Sequence, residues 1–269
     1  MQIGLHLPNR GPHGKRELIR DCARIADAMP IDDLWVFDHI AIPPAQSQGS
    51  GGYYVEPLAT LAFVAGITER IGIGTRVLIL PYRHPYLIAK WAASIQELSG
   101  GRLRLGCGVG WLEAEFKVLG VARNRRGVLT DEALDTIHRC FASDEVEMNG
   151  EKVLFRPRPP RPPIFIGGAP PHALRRVVRF GEGWMPGNGE ADKLREPIAE
   201  LRRLAQEAGR PAPEVVLADT LPLDDPGRAR ERLQQLAEIG VTRFSLNLPY
   251  ETVHEFERLA NTVTRAAGR

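Results

Sequence analysis

Short apolar runs recur along this chain, and each is followed by a stretch with helical spacing. The runs cover residues 3–8, 33–40, 71–80, 103–107, 163–168, 183–186, 215–219 and 241–248. The helical stretches cover 17–29, 57–68, 85–98, 116–120 with 130–141, 172–180, 192–208, 226–239 and 252–267. Within 17–29, Leu18, Cys22, Ile25 and Ala26 fall on one helix face. Asp225 before Pro226 suits an N-cap, and Thr252 with Glu255 forms a capping-box pattern. The strand-like runs do not alternate apolar with polar, as expected of parallel strands covered on both faces. Eight strand–helix units in 269 residues predict an α/β protein with a closed (β/α)8 TIM barrel. An open doubly wound sheet is the alternative, but eight units in this length fit closure better.

The regular spacing is interrupted once. Between the fourth and fifth strands lies SDEVEMNGEKVLFRPRPPRPP, residues 143–163, with Asn149-Gly150 between two strand-like runs and then a proline cluster. Asn-Gly is a hairpin signal. Because the alternation resumes at once, this segment is expected to be an insertion lying over a single barrel that spans 1–269.

Charge and cysteine content exclude several classes. A net charge of +2, with the arginines scattered, does not suit nucleic acid. Cys22, Cys107 and Cys140 are odd in number and contain no CxxC, which argues against a disulfide framework or zinc site. The first residues, MQIGLHLPNR, lack a basic region followed by an apolar run, and no apolar stretch approaches the ~20 residues that cross a bilayer. A cytoplasmic protein without membrane or nucleic-acid partners is expected.

In such barrels chemistry sits at the C-terminal ends of the strands. Those ends carry His6, Asp38-His39, Thr75-Arg76, Gly106 to Trp111, Gly167-Gly168-Ala169, Trp184 and Asn247. Asp38-His39 is the acid–base candidate, since imidazole titrates near neutrality and a neighbouring polar group can orient it. A hydrogen-bonded structural histidine is the competing reading. Glycines at 106, 108 and 110 fall on one side of an extended chain, leaving bare backbone against which a flat ligand can lie; a tight turn explains them equally well. Gly167-Gly168-Ala169 before a helix suits an anion, or again a plain turn. A metal hydrolase is disfavoured: Leu7-Pro8 follow His6 rather than a second imidazole, and the eighth strand ends in Asn247 rather than a carboxylate. The lysines, at 15, 90, 117, 152 and 193, fall in helices or loops, which disfavours Schiff-base chemistry.

Taken in order, LWVFDHI, IGIGTRVLILPYRHP, RLRLGCGVGWLEAEFKVLG and IFIGGAPPHALRRVVRFGEGWMP resemble the luciferase-like monooxygenase family, above all its branch using the deazaflavin coenzyme F420. The resemblance implies a (β/α)8 barrel with Asp38 and His39 beside the cofactor ring, His39 exchanging a proton. It implies that Thr75, Arg76 and Val77 form a bulge with a cis peptide at Arg76-Val77. It further implies that Gly106, Gly108, Val109 and Gly110 line the ring, while Gly167, Gly168 and Ala169 meet its phosphate. Sugar-phosphate dehydrogenases of the family carry a glutamate where Trp111 stands here, with Glu113 and Glu115 only later. A less polar small-molecule substrate is therefore expected. The implied activity is hydride transfer with F420. FMN-dependent monooxygenation is the alternative, and a non-catalytic cofactor-binding barrel the alternative from another class. Relatives also suggest a homodimer.

Overall fold

A computed structural model describes residues 1–187 and 191–269. Its strands are β1 (Gln2–His6), β2 (Asp33–Val36), β3 (Gly72–Thr75), β4 (Leu78–Ile79), β5 (Leu103–Gly108), β6 (Glu145–Met148), β7 (Glu151–Leu154), β8 (Ile164–Gly167), β9 (Gly183–Met185), β10 (Glu214–Asp219) and β11 (Arg243–Leu246). The helices are α1 (Arg16–Ala28), α2 (Pro57–Ala65), α3 (Pro85–Leu98), α4 (Glu113–Val118), α5 (Arg126–Ala142), α6 (His172–Phe180), α7 (Ala191–Glu207), α8 (Pro226–Ile239) and α9 (Val253–Ala266).

Parallel pairing runs β3-β2-β1-β11-β10-β9-β8-β5, and β3 then pairs with β5 through Ile73 and Leu103. The sheet therefore closes. With β3 and β4 counted as one broken stave, the ring has the predicted eight members. Trp35, Phe165, Met185 and Val216 cluster together as the fill of the barrel, while the larger core lies between strands and helices. Asp225 caps α8 by accepting from the amides of Gly227 and Arg228, and the Thr252–Glu255 capping box starts α9. Cys22, Cys107 and Cys140 are buried and free. No helix among the described residues is long and apolar enough to cross a membrane.

Two boundaries differ from the sequence expectation in ways that matter for the site. The second strand stops at Val36, four residues early, so that Phe37 to Ile40 leave the sheet. The third strand is broken at a cis peptide between Arg76 and Val77 and resumes as β4.

The insertion contains the expected hairpin: β6 pairs antiparallel with β7 across Asn149 and Gly150, both at positive φ. It follows the C-terminus of α5 and packs on the outer helices. There Phe155 packs edge-on against Tyr86 and Phe141, and Gln96 donates to the Pro160 carbonyl.

Candidate active site

The site is built around the break in the third stave. Thr75 Oγ1 donates to the carbonyl of Gly106 at 2.7 Å, tying the bulge to β5. A Cβ added at Gly106 would collide with the Thr75 carbonyl, and one at Gly108 with Val77 Cγ2. One at Gly110, whose φ is +77°, would meet Ile79 Cγ2 at 2.8 Å, and one at Gly167 would meet Val77 Cγ1 at 2.8 Å. The expected bare shelf is thus occupied by the chain itself. Gly106, Gly108 and Gly167 admit the bulge, and Val77 stands where a ligand was expected.

Beyond β2, Asp38 and His39 turn in different directions. Both Asp38 carboxylate oxygens are gripped by Arg83 at 2.7 and 2.8 Å, and Oδ2 also accepts the Ile79 amide at 2.7 Å. Asp38 fixes the bulge and does not touch His39, contrary to the expectation that it orients the imidazole. The partner of His39 is Glu115, on the first turn of α4, with Nδ1 to Oε2 at 3.0 Å. Glu115 is fully buried and also accepts from the amides of Ile40 (2.6 Å) and Ala41 (3.0 Å) and from Tyr82 Oη (3.0 Å). Burial opposes its charge, but the His39 hydrogen bond and the two amides hold its pKa below the usual range. In sequence Glu115 stood only as a carboxylate beyond Trp111, and the WLEAEF segment gives no sign of a partner 76 residues away.

Arg76 reaches across the barrel, donating to the carbonyls of Val216 at 3.2 Å and Pro186 at 3.1 Å. No carboxylate among the described residues pairs with it, and burial lowers its pKa to about 10, so it remains a cation at neutral pH. His6 stacks on Phe37 and lies near enough to Arg76 to feel its charge.

Three cavities open around this framework. One of about 220 Å³ is lined by His39, Arg76, Val77, Tyr82, Trp111 and Glu115. A second, about 340 Å³, is lined by Val109, Gly167, Gly168, Ala169, Asn124, Arg126, His172 and Arg176, with no acidic side chain. A third, about 420 Å³, lies between Phe37, Tyr54, Arg10, Asn247 and Tyr250. At the expected anion site, 167–169, side chains accompany the backbone. Gly168 donates its N–H to Met185 at 3.3 Å, and Pro170 and Pro171 have none to give. Beside this stretch stand the Arg126 guanidinium and the His172 imidazole, with Arg176 already paired to Asp131 at 2.6 Å. Arg126 was missed because it lies in a helix rather than at a strand end.

The luciferase-like monooxygenase family model matches residues 1–266. The chain belongs to that family. A relative in Mycobacterium tuberculosis, an uncharacterised protein, is 32% identical over 231 residues, covering 78% of this chain and 80% of its own. The F420-dependent glucose-6-phosphate dehydrogenase of Amycolatopsis mediterranei is 30% identical over 210 residues, covering 72% of this chain and 61% of its own. Among solved structures, an F420-dependent secondary alcohol dehydrogenase with an F420–acetone adduct superposes with a TM-score of 0.81 at 17% identity, covering 98% of each chain. The FMN-bound oxygenating component of 3,6-diketocamphane monooxygenase from Pseudomonas putida superposes with 0.77 at 16% identity, again covering 98% of each. These two likenesses carry the fold. F420- and FMN-dependent enzymes thus share this barrel.

Proposed function

We propose that this protein is an oxidoreductase that moves a hydride between coenzyme F420 and a small organic substrate, with His39 exchanging the accompanying proton. The observation that carries the reading is the imidazole itself: one nitrogen is engaged by a buried carboxylate and the ring faces a cavity at the barrel mouth. Interconverting an alcohol and a carbonyl requires a proton to leave or reach oxygen as the hydride moves, which is general acid–base work. The cofactor, when bound, supplies the hydride chemistry. The donor set fits such a ligand: the acid-free cavity with Arg126 and His172 would hold its phosphate, and Val77 on the bulge would back its ring. The 30% identity to an F420-dependent dehydrogenase supports the F420 reading. Trp111, 62% exposed, stands edge-on to His39 at 6.1 Å and offers an apolar wall suited to a less polar substrate than a sugar phosphate.

Titrating the purified protein with F420 and with FMN tests the reading. F420 should bind at least about tenfold more tightly, and His39→Ala should spare that affinity while lowering turnover about 10²–10⁴-fold. Tighter binding of FMN together with oxygen-dependent product would replace this reading with a monooxygenase. Binding without turnover on any alcohol or carbonyl would leave a cofactor-storage barrel.

A further inference from the structure

We propose that Glu115 is the positioning residue for His39: it fixes the neutral imidazole with its proton on Nδ1 and leaves Nε2 as the nitrogen that meets the substrate. The inference rests on the role of His39 proposed above and specifies how the chain sets it. An ionised carboxylate only accepts hydrogen bonds, so the ring nitrogen 3.0 Å from Glu115 Oε2 must carry the hydrogen. Nε2 is then the lone-pair nitrogen. Asp38, the adjacent carboxylate, cannot take this part, because Arg83 and the Ile79 amide occupy its oxygens.

The surroundings hold the arrangement from several sides. Glu115 Oε1 accepts the amides of Ile40 and Ala41, the two residues after His39, so one carboxylate ties down both the ring and its backbone. Tyr82 Oη binds the same oxygen as the imidazole and keeps it from swinging away. Tyr54 and Trp111 stand edge-on to the ring at 5.0 and 6.1 Å. In the oxidative direction a bound deazaflavin would supply the hydride acceptor for the substrate C–H bond. The substrate O–H bond breaks as Nε2 takes the proton, and the carbonyl forms. The imidazolium so produced faces the Glu115 charge through Nδ1–H, which stabilises the protonated state as it appears. The reverse direction returns the proton from Nε2 to the carbonyl oxygen.

The tautomer is read directly by ¹⁵N chemical shifts of His39 in the cofactor-free protein, at a pH high enough to neutralise the ring. A protonated Nδ1 and an unprotonated Nε2 are expected, and the opposite tautomer would overturn the inference with no variant needed. With cofactor and substrate, Glu115→Gln should lower kcat about 10–100-fold while KM changes less than about threefold, and Glu115→Asp should restore part of the loss. In a His39→Ala background Glu115→Gln should cost nothing further, because its effect passes through the ring. An equal loss in both backgrounds would make Glu115 a structural residue only. Full turnover by His39→Ala would instead remove the proposed role of His39, an outcome distinct from the tautomer result.

Discussion

At the scale of single residues, His6 shows how burial fixes protonation next to a cation. Its Nδ1 lies 3.1 Å from the Leu246 carbonyl and therefore donates, while Nε2 is buried with no partner. Burial first, and the nearby Arg76 second, lower its pKa to about 3. An unfolded histidine takes a proton near pH ~6.5 and the folded one only near 3, so the unfolded state binds more protons in between. Stability is fully present above ~6.5 and falls by up to about 1.4 kcal/mol per pH unit as pH drops toward 3. Urea midpoints measured between pH 7 and 5 should therefore decline less steeply for His6→Asn than for the wild type; equal slopes would show that His6 is protonated in the fold. Glu115 works in a lower window. Its depressed carboxyl contributes stability above the ordinary glutamate range, and that contribution is lost as pH falls through the folded value. Of the two, only His6 was visible in sequence as a strand-end residue. Asp38-His39 was found the same way, but their roles were not: adjacency in the chain suggested a pair, and side-chain direction sent them to Glu115 and Arg83.

Among elements, the broken third stave decides the shape of the mouth. Residues 71–80 read as one apolar strand because Ile, Val and Leu suit a buried strand whether it is continuous or bulged. The glycines of β5 were legible as special, and their use was not. A pattern of missing side chains tells that something approaches closely without saying whether it is ligand or chain. Gly108→Ala should force Val77 out of place and destabilise the protein by about 2 kcal/mol, with loss of cofactor affinity. Gly150→Ala is the contrast. Its φ of +83° disfavours any Cβ, so about 1 kcal/mol should be lost, but no hairpin residue lines the three cavities described above and affinity should not change. Thermal melts with cofactor titrations on both variants check the pair. Loss of affinity in Gly150→Ala would show that the hairpin communicates with the mouth.

Across the whole molecule, the end of the barrel opposite the site is closed by charge. Arg243, at the start of β11, pairs with Asp33 of β2 and with Glu214 of β10 at 2.7 Å, and Arg104 of β5 lies 3.7 Å from Asp33. Gly72 leaves the space that the Asp33 carboxylate fills. Four staves are thus joined through one buried aspartate. Asp33→Asn should cost about 3 kcal/mol, because the buried Arg243 guanidinium loses one of its two counter-charges, and should leave cofactor affinity unchanged in the folded protein. Denaturant midpoints and a binding titration check both halves. Barrel stability and barrel chemistry then reside at opposite ends, as the fold generally arranges them.

The sequence by itself determined the parallel barrel, the helix caps, the hairpin and the set of strand ends at which a site can form. Each of these follows from spacing and local backbone preference, which act over a few residues. Only the tertiary structure decided that Val77 rather than a ligand fills the glycine cleft and that the Arg126 guanidinium shares a cavity with Gly168. It also decided that Glu115 and not Asp38 holds His39. Those outcomes depend on which side chains meet after closure, and residues 76 apart carry no mark of each other until the ring of strands brings them within 3.0 Å.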